Sequence, residues 1–176
     1  MLDLNTILMG ALITTARGDP MAKTELLTLG GGCFWCLEAV YEDVPGVIDV
    51  TSGYAGGTTE HPAYRQVISG HTGHAEVVQI TYDPSQVDLD KLLEIFWVIH
   101  DPTTADRQGN DVGDQYRSIV LVRDEAQEQA VRASIAREQA AGTHQGDFTT
   151  QVVPLARFWP AEDYHQDYFR NNPDKP

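Results

Sequence analysis

Apolar and polar positions along the chain fall into runs whose period changes. Residues 26–29 form a short extended apolar run, three glycines follow, and Leu37, Ala39, Val40 and Tyr41 then recur at helical spacing. Strand, glycine turn and helix are the expected order. Asp43-Val44-Pro45-Gly46 ends the helix in a turn. Residues 47–51 read as a strand and 52–61 as a glycine-rich loop. Residues 74–82 alternate as a strand does, and the alternation puts Glu76 on the same face as Val78 and Ile80. In 88–100, Asp88 is placed to cap a helix whose buried face carries Leu89, Leu92, Leu93, Phe96 and Ile99, extended by Trp97.

The second half is read the same way. Residues 101–115 are rich in Asp, Gly and Thr and nearly lack apolar side chains, so they form a long loop, either ordered for function or disordered. A strand is expected over 116–122, an alanine-rich helix over 125–141 stopped by Gly142, and a last strand over 149–155. The irregular segment 158–169 is aromatic and acidic, with Tyr164, Tyr168 and Phe169 spaced to pack back on the body, and a polar tail closes the chain. Strands mixed with two or three helices on both sides of the midpoint predict an α+β protein. Its architecture is a two-layer sandwich of one mixed sheet with helices packed against it.

Composition narrows the picture. A chain of 176 residues, 41% hydrophobic, supports one well-buried core and a single domain over 1–176. The net charge of -14 argues against nucleic acid and anionic membranes as partners. The apolar patch at 7–13 is too short for a membrane span, Asp3 stands where a signal peptide is basic, and Arg17-Gly18-Asp19-Pro20 is a poor cleavage context. Residues 1–21 therefore read as an N-terminal extension, with Met21 an alternative start. Two cysteines in one CxxC, without a larger disulfide framework, fit a reducing compartment, and a cytoplasmic monomer is expected.

The chemistry centres on Gly30-Gly31-Gly32-Cys33-Phe34-Trp35-Cys36. Glycines permit positive φ and leave room beside a sulfur. Cys33 falls at the start of the helix, where free N–H groups and the dipole favour a thiolate, so it is a nucleophile candidate. Phe34 and Trp35 either wall an apolar pocket or belong to the core. The cysteine pair has blander readings: two buried small side chains, or half of a zinc site that no other ligand set in the sequence completes. His71 and His74, without a third ligand, are weak evidence for a metal. If the face bearing Glu76 is covered, burial favours its neutral acid; if the strand end frays, its carboxylate stays in water. Tyr64 alone reads as a half-buried tyrosine, Asp111 as a turn residue, and His165 as structural.

The segment Gly31-Gly32-Cys33-Phe34-Trp35 followed by Glu38 resembles the active-site signature of the A-type peptide methionine sulfoxide reductases. In the same order follow Gly53-Tyr54-Ala55-Gly56-Gly57, Tyr64-Arg65-Gln66-Val67, Gly70-His71-Thr72-Gly73-His74-Ala75-Glu76, His100-Asp101-Pro102-Thr103-Thr104 and Arg107-Gln108-Gly109-Asn110-Asp111. Gln115-Tyr116-Arg117-Ser118 completes the set, and the resemblance spans 24–172, the expected catalytic domain. Cys36 departs from the usual glycine, and the recycling cysteines that many relatives carry in a C-terminal tail are missing. The resemblance implies a ferredoxin-like core and thiol-dependent reduction of methionine-S-sulfoxide, free or in proteins. It implies that the loop at 101–115 folds over the site with Asp111 and Tyr116 reaching inward. Glu76 becomes the general acid, Tyr64 and Tyr116 hold the sulfoxide oxygen, Phe34 and Trp35 cradle the S-methyl group, and Cys33 attacks sulfur and ends as a sulfenic acid. Cys36, one helical turn after Cys33, is then placed to resolve that acid to a disulfide, which thioredoxin or a similar dithiol reduces. No cofactor or metal is expected. The rival readings are a thioredoxin-like CxxC disulfide oxidoreductase and a non-enzymatic module that recognises methionine-like side chains.

Overall fold

The computed structural model describes residues 23–174, so the expected extension over 1–21 lies outside the described residues. In chain order the elements begin with strand β1 (Glu25–Gly30), helix α1 (Phe34–Glu42), strand β2 (Val47–Ala55), short helix α2 (Tyr64–Val67), strand β3 (Ala75–Tyr82) and helix α3 (Leu89–Ile99). A small hairpin, β4 (Arg107–Gln108) and β5 (Asp111–Val112), leads through a 3-10 turn (Asp114–Tyr116) to β6 (Ile119–Val122) and helix α4 (Glu125–Ala141). Strands β7 (Gln151–Pro154) and β8 (Phe158–Pro160), a second 3-10 turn (Asp163–His165) and the short α5 (Tyr168–Asn171) complete the chain.

The main sheet has the order β7-β6-β1-β3-β2-β8. Only β6 and β7 run parallel, so the sheet is mixed. Within it, β6-β1-β3-β2 with α1 and α3 as crossovers is the βαββαβ arrangement of a ferredoxin-like core, as expected from the sequence. One face of the sheet meets the helices through Phe34, Leu37, Tyr41, Val78, Ile80, Leu92, Leu93, Phe96 and Trp97, all at most 2% exposed. Each such side chain contributes about 1.5–3 kcal/mol of transfer free energy. The other face carries the smaller cluster of Ala55, Ala75, Val77, Ile119 and Leu121, covered by Val153, Leu155 and Phe158.

Two helix ends follow the residues named for them, Asp88 and Gly142, and Asp124 caps the start of α4. Asp88 accepts from the Lys91 N–H and Asp124 from the Gln127 N–H, while Gly142, at φ 65, closes α4 in the left-handed conformation. Three expectations need correction. The strand expected over 47–51 continues to Ala55, because Gly53, with no Cβ, lets the Phe158 ring and the Trp159 carbonyl of β8 lie against it. Tyr116 lies in a 3-10 turn, and the strand that follows starts only at Ile119. The strand expected last, over 149–155, is β7, and a further edge strand, β8, comes from the aromatic segment after it. Helix α2, for which the sequence pattern offers no signal, is a single turn held by the Gln66 side chain accepting from the Ala63 N–H at 2.8 Å.

Candidate active site

The site is built at the N-terminus of α1, where β1 delivers the chain to the middle of the sheet. Gly30 allows this approach: a Cβ there would collide with the Glu76 carbonyl of the neighbouring β3. Gly32 alone of the three takes a positive φ, 95°, which turns the chain into the helix. The glycines thus serve close backbone packing more than clearance for a substrate. Cys33 is the N-cap residue of α1. The Phe34 N–H donates to Glu76 Oε2 at 3.3 Å, and the Trp35 backbone beside the Cys33 sulfur acts to lower its pKa. One of the free amides at the helix start is therefore taken by the carboxyl group.

Glu76 is the second residue of β3 and is 2% exposed. Burial pushes its pKa up to about 7, with the Asp111 and Cys36 charges adding to the rise and the Phe34 N–H opposing it. The strand end does not fray: Glu76 pairs with Tyr54 of β2. A carboxyl group poised near neutral pH is suited to general acid catalysis.

One cavity of about 220 Å³ collects the residues named from the sequence. Cys33, Phe34 and Trp35 come from α1, Tyr64 from α2, Glu76 from β3, Asp111 from the hairpin and Tyr116 from the 3-10 turn. Burial raises the Tyr64 pKa, and raises that of Tyr116 to about 12, with the Glu76 charge adding to each, so both phenols are O–H donors across the neutral range. The loop over 101–115 is ordered around internal bonds. Gln108 Oε1 accepts from the Asp101 N–H at 3.0 Å, Gln108 Nε2 donates to the Asp101 carbonyl at 3.1 Å, and the Tyr116 carbonyl accepts from the Gly32 N–H at 3.1 Å. Asp111 remains exposed while lining the cavity.

The two cysteines are free, Cys33 half-buried and Cys36 exposed. They lie side by side: the neighbouring Cys33 lowers the Cys36 pKa to about 7, and the neighbouring Cys36, burial and the Glu76 charge push that of Cys33 up. Cys36 does not line the cavity that holds Glu76. It lines a second one of about 200 Å³, in which Cys33 and Asp111 also take part.

Sequence reasoning underrated the residues behind the pocket. Trp35 lies flat on Tyr168, with centroids 3.6 Å apart and an interplanar angle of 4°, and its Nε1 donates to His165 Nδ1 at 3.1 Å. His165 is 1% exposed, and its ring packs against Phe34 and Tyr64. Glu162 accepts from the Tyr64 N–H at 2.9 Å and the Tyr54 hydroxyl at 2.8 Å. Glu38, 1% exposed, accepts from the Ser52 hydroxyl at 3.1 Å and the Tyr168 N–H at 3.4 Å. A buried acid in the middle of an apolar helix face was the available signal for Glu38. His74 is structural: its Nδ1 accepts from the Gly57 N–H at 3.0 Å and its Nε2 meets the Thr59 carbonyl at 2.8 Å. Among the described residues, no three His, Cys, Asp or Glu side chains gather as metal ligands, and no helix is long and apolar enough to cross a membrane.

Comparison with known proteins agrees with this geometry. The family model for peptide methionine sulfoxide reductase matches residues 25–176. A peptide methionine sulfoxide reductase of Halobacterium salinarum is 54% identical over 151 residues, covering 86% of this chain and 85% of that one. One of Leptospira borgpetersenii is 58% identical over 150 residues, covering 85% and 84%. Mxr1 of Saccharomyces cerevisiae in reduced form superposes with a TM-score of 0.81 at 35% identity over 93% of both chains. The same yeast protein in complex with Trx2 superposes with a TM-score of 0.59 at 28% identity, covering 88% of this chain and 91% of that one.

Proposed function

The chain belongs to the peptide methionine sulfoxide reductase family and is a methionine sulfoxide reductase, and we propose that it acts on the S epimer through Cys33, with Cys36 as resolving residue and a thioredoxin-type dithiol as reductant. The observation that carries the assignment of roles is the single cavity joining a sulfur, a buried carboxyl group near its pKa, two phenols and an aromatic wall.

The sulfoxide enters with its methyl group against Phe34 and Trp35 and its oxygen toward Glu76, Tyr64 and Tyr116. Sulfoxide sulfur is a poor electrophile until its oxygen takes up positive charge. Neutral Glu76 supplies the proton, and the phenols, already oriented, stabilise the change of charge at oxygen. The Cys33 proton passes to the neighbouring Cys36 sulfur, whose pKa is lowered to about 7. The Cys33 sulfur then bonds to the sulfoxide sulfur, and the oxygen passes to Cys33 as methionine departs. The net step turns thiol and sulfoxide into sulfenic acid and thioether. Cys36 attacks the Cys33 sulfenic acid, a disulfide forms and one water leaves. No prosthetic group is called for, since the electrons come from thiols, and a reducing compartment such as the cytoplasm keeps the cycle running. The yeast neighbour solved with Trx2 supports a thioredoxin as the donor.

The test is a single turnover without external reductant. Reduced protein is mixed with S-methionine sulfoxide, methionine is quantified and the intact mass is read. One methionine per chain, a protein two hydrogens lighter and no free thiol are the expected result. Methionine with one oxygen added to Cys33 and Cys36 still free would remove the resolving role, and no methionine would refute the assignment of Cys33.

A further inference from the structure

Tyr64 belongs to an element too short to place it alone. Helix α2 is the single turn Tyr64–Val67, anchored in the core by the buried Val67. Among the described residues, the hydrogen bonds of 60–70 stay within that segment, with one exception: the Tyr64 N–H donates to Glu162 Oε1 at 2.9 Å. The other oxygen of this carboxyl group, Oε2, accepts from the buried Tyr54 hydroxyl at 2.8 Å. Burial acts to raise the Glu162 pKa, but the Tyr64 N–H and the Tyr54 hydroxyl help to outweigh it, so the pKa is lowered and both bonds are made to a carboxylate.

Glu162 stands directly before the 3-10 turn Asp163–His165, and the two ends of this short stretch hold Tyr64 at two points. Glu162 takes the amide, and the His165 ring packs against the phenol ring with centroids 4.5 Å apart. The stretch is itself fastened to β2. The Ala161 N–H donates to the Ser52 carbonyl at 2.9 Å, Gln166 Oε1 accepts from the Ser52 N–H at 2.9 Å, and Gln166 Nε2 donates to the Ser52 carbonyl at 3.0 Å. Two residues further along β2, Tyr54 pairs with Glu76 of β3. Glu162 thus joins the strand pair that carries the acid to the turn that carries the phenol, without lining the cavity itself.

We propose that Glu162 is a positioning residue for the reduction: by holding the Tyr64 N–H it sets where the phenol stands relative to Glu76, and so whether both reach the sulfoxide oxygen at once. The inference rests on the reading of Tyr64 as a donor to that oxygen. A donor stabilises developing charge only when it is already aimed, and a small misplacement is enough to forfeit most of its effect. The methyl pocket is built separately, since Phe34 and Trp35 come from α1 and the Trp35 indole keeps its bond to His165. Loss of Glu162 therefore falls on the chemical step more than on substrate affinity.

The experiment is a double-mutant cycle read by single-turnover methionine release over a range of S-methionine sulfoxide concentrations, with thermal melts of every protein. Glu162→Ala is expected to lower the saturated rate about a hundredfold and to move the half-saturating concentration by less than about threefold. Glu162→Gln, whose amide oxygen can still accept the Tyr64 N–H, is expected to recover the rate to within about fivefold. In a Tyr64→Phe background, adding Glu162→Ala is expected to cost no more than about a further threefold in rate, because the hydroxyl it would misplace is gone. The fall in melting temperature caused by Glu162→Ala should be the same in both backgrounds, which separates positioning from general damage. If Glu162→Ala does not fold, Glu162→Asp, which withdraws the carboxylate by one methylene, takes its place in the same cycle. Rate losses that multiply in the double variant, or an unchanged rate in the Glu162 variant alone, would overturn the positioning role while leaving Tyr64 as a donor. An unchanged rate in Tyr64→Phe alone would overturn both.

Discussion

Glu76 Oε2 accepts the backbone N–H of Phe34 at 3.3 Å, joining the carboxyl group of β3 to the residue after Cys33 across 42 positions of sequence. The bond fixes the acid beside the nucleophile and holds its pKa below where burial alone would leave it, at about 7. The single-turnover rate with the sulfoxide in excess should therefore fall about tenfold per pH unit above pH 7, as Glu76 loses the proton it must donate. Glu76→Gln should lose this limb and about 10²–10⁴ of kcat/KM. Stability should move the other way. A raised pKa means stability that is complete below the unfolded value of 4.5 and lost as pH rises through about 7. Above pH 8, Glu76→Gln should thus be more stable than the natural protein, by up to about 3 kcal/mol. A pH series of thermal melts on both proteins checks the sign.

Cys36→Ser isolates the two halves of the cycle. Methionine should still appear at close to one per chain in a single turnover, because the oxygen acceptor is Cys33. Steady turnover driven by thioredoxin should fall at least about a hundredfold, since a sulfenic acid offers thioredoxin no internal disulfide to exchange. Dimedone labelling of Cys33 should accumulate in the variant and not in the natural protein. Retained thioredoxin-driven turnover would remove Cys36 from the cycle.

Local pattern carried the helices and the caps at Asp88 and Gly142, because these residues act on their own neighbours. It carried Glu76 because strand alternation puts every second residue on one face. What pattern misread depends on distant partners. Gly53 looks like loop chemistry until Phe158 and Trp159 are laid against it. Cys33 looks like a dipole-stabilised thiolate until the neighbouring Cys36, burial and the Glu76 charge are seen to push its pKa up. His165 lies 130 positions from the Trp35 whose indole N–H it accepts, and no local signal announces that pair.

Gly30→Ala should be among the most damaging single-methyl changes in the chain. The added Cβ meets the Glu76 carbonyl, the Val77 side chain at 3.0 Å and Ile119 at 3.2 Å, in the middle of the sheet. Overpacking of this kind costs about 1–3 kcal/mol. Because the carbonyl it displaces belongs to Glu76, activity should fall in protein that still melts cooperatively. Gly142→Ala is the contrast: at φ 65, with nothing within 4 Å of a new Cβ, it should destabilise modestly and leave kcat/KM alone. Denaturant melts paired with single-turnover rates separate the two.

Trp35→Phe tests whether the methyl pocket is held from behind. Phenylalanine keeps a flat ring to lie on Tyr168, 3.6 Å away, but removes the N–H that donates to His165 Nδ1 at 3.1 Å. His165 Nε2 is already buried without a partner, 3.9 Å from Glu162. Losing the indole would leave both ring nitrogens unsatisfied, at a cost of about 1–3 kcal/mol. The histidine is expected to rotate toward Glu162, whose carboxylate also accepts the Tyr64 N–H, so the disturbance should reach the far wall of the cavity. The expected result is a KM for methionine sulfoxide raised about tenfold with a smaller loss in kcat, and a similar rise in Tyr168→Ala, which removes the ring behind Trp35. An unchanged KM in both variants would mean that Trp35 is held by α1 alone.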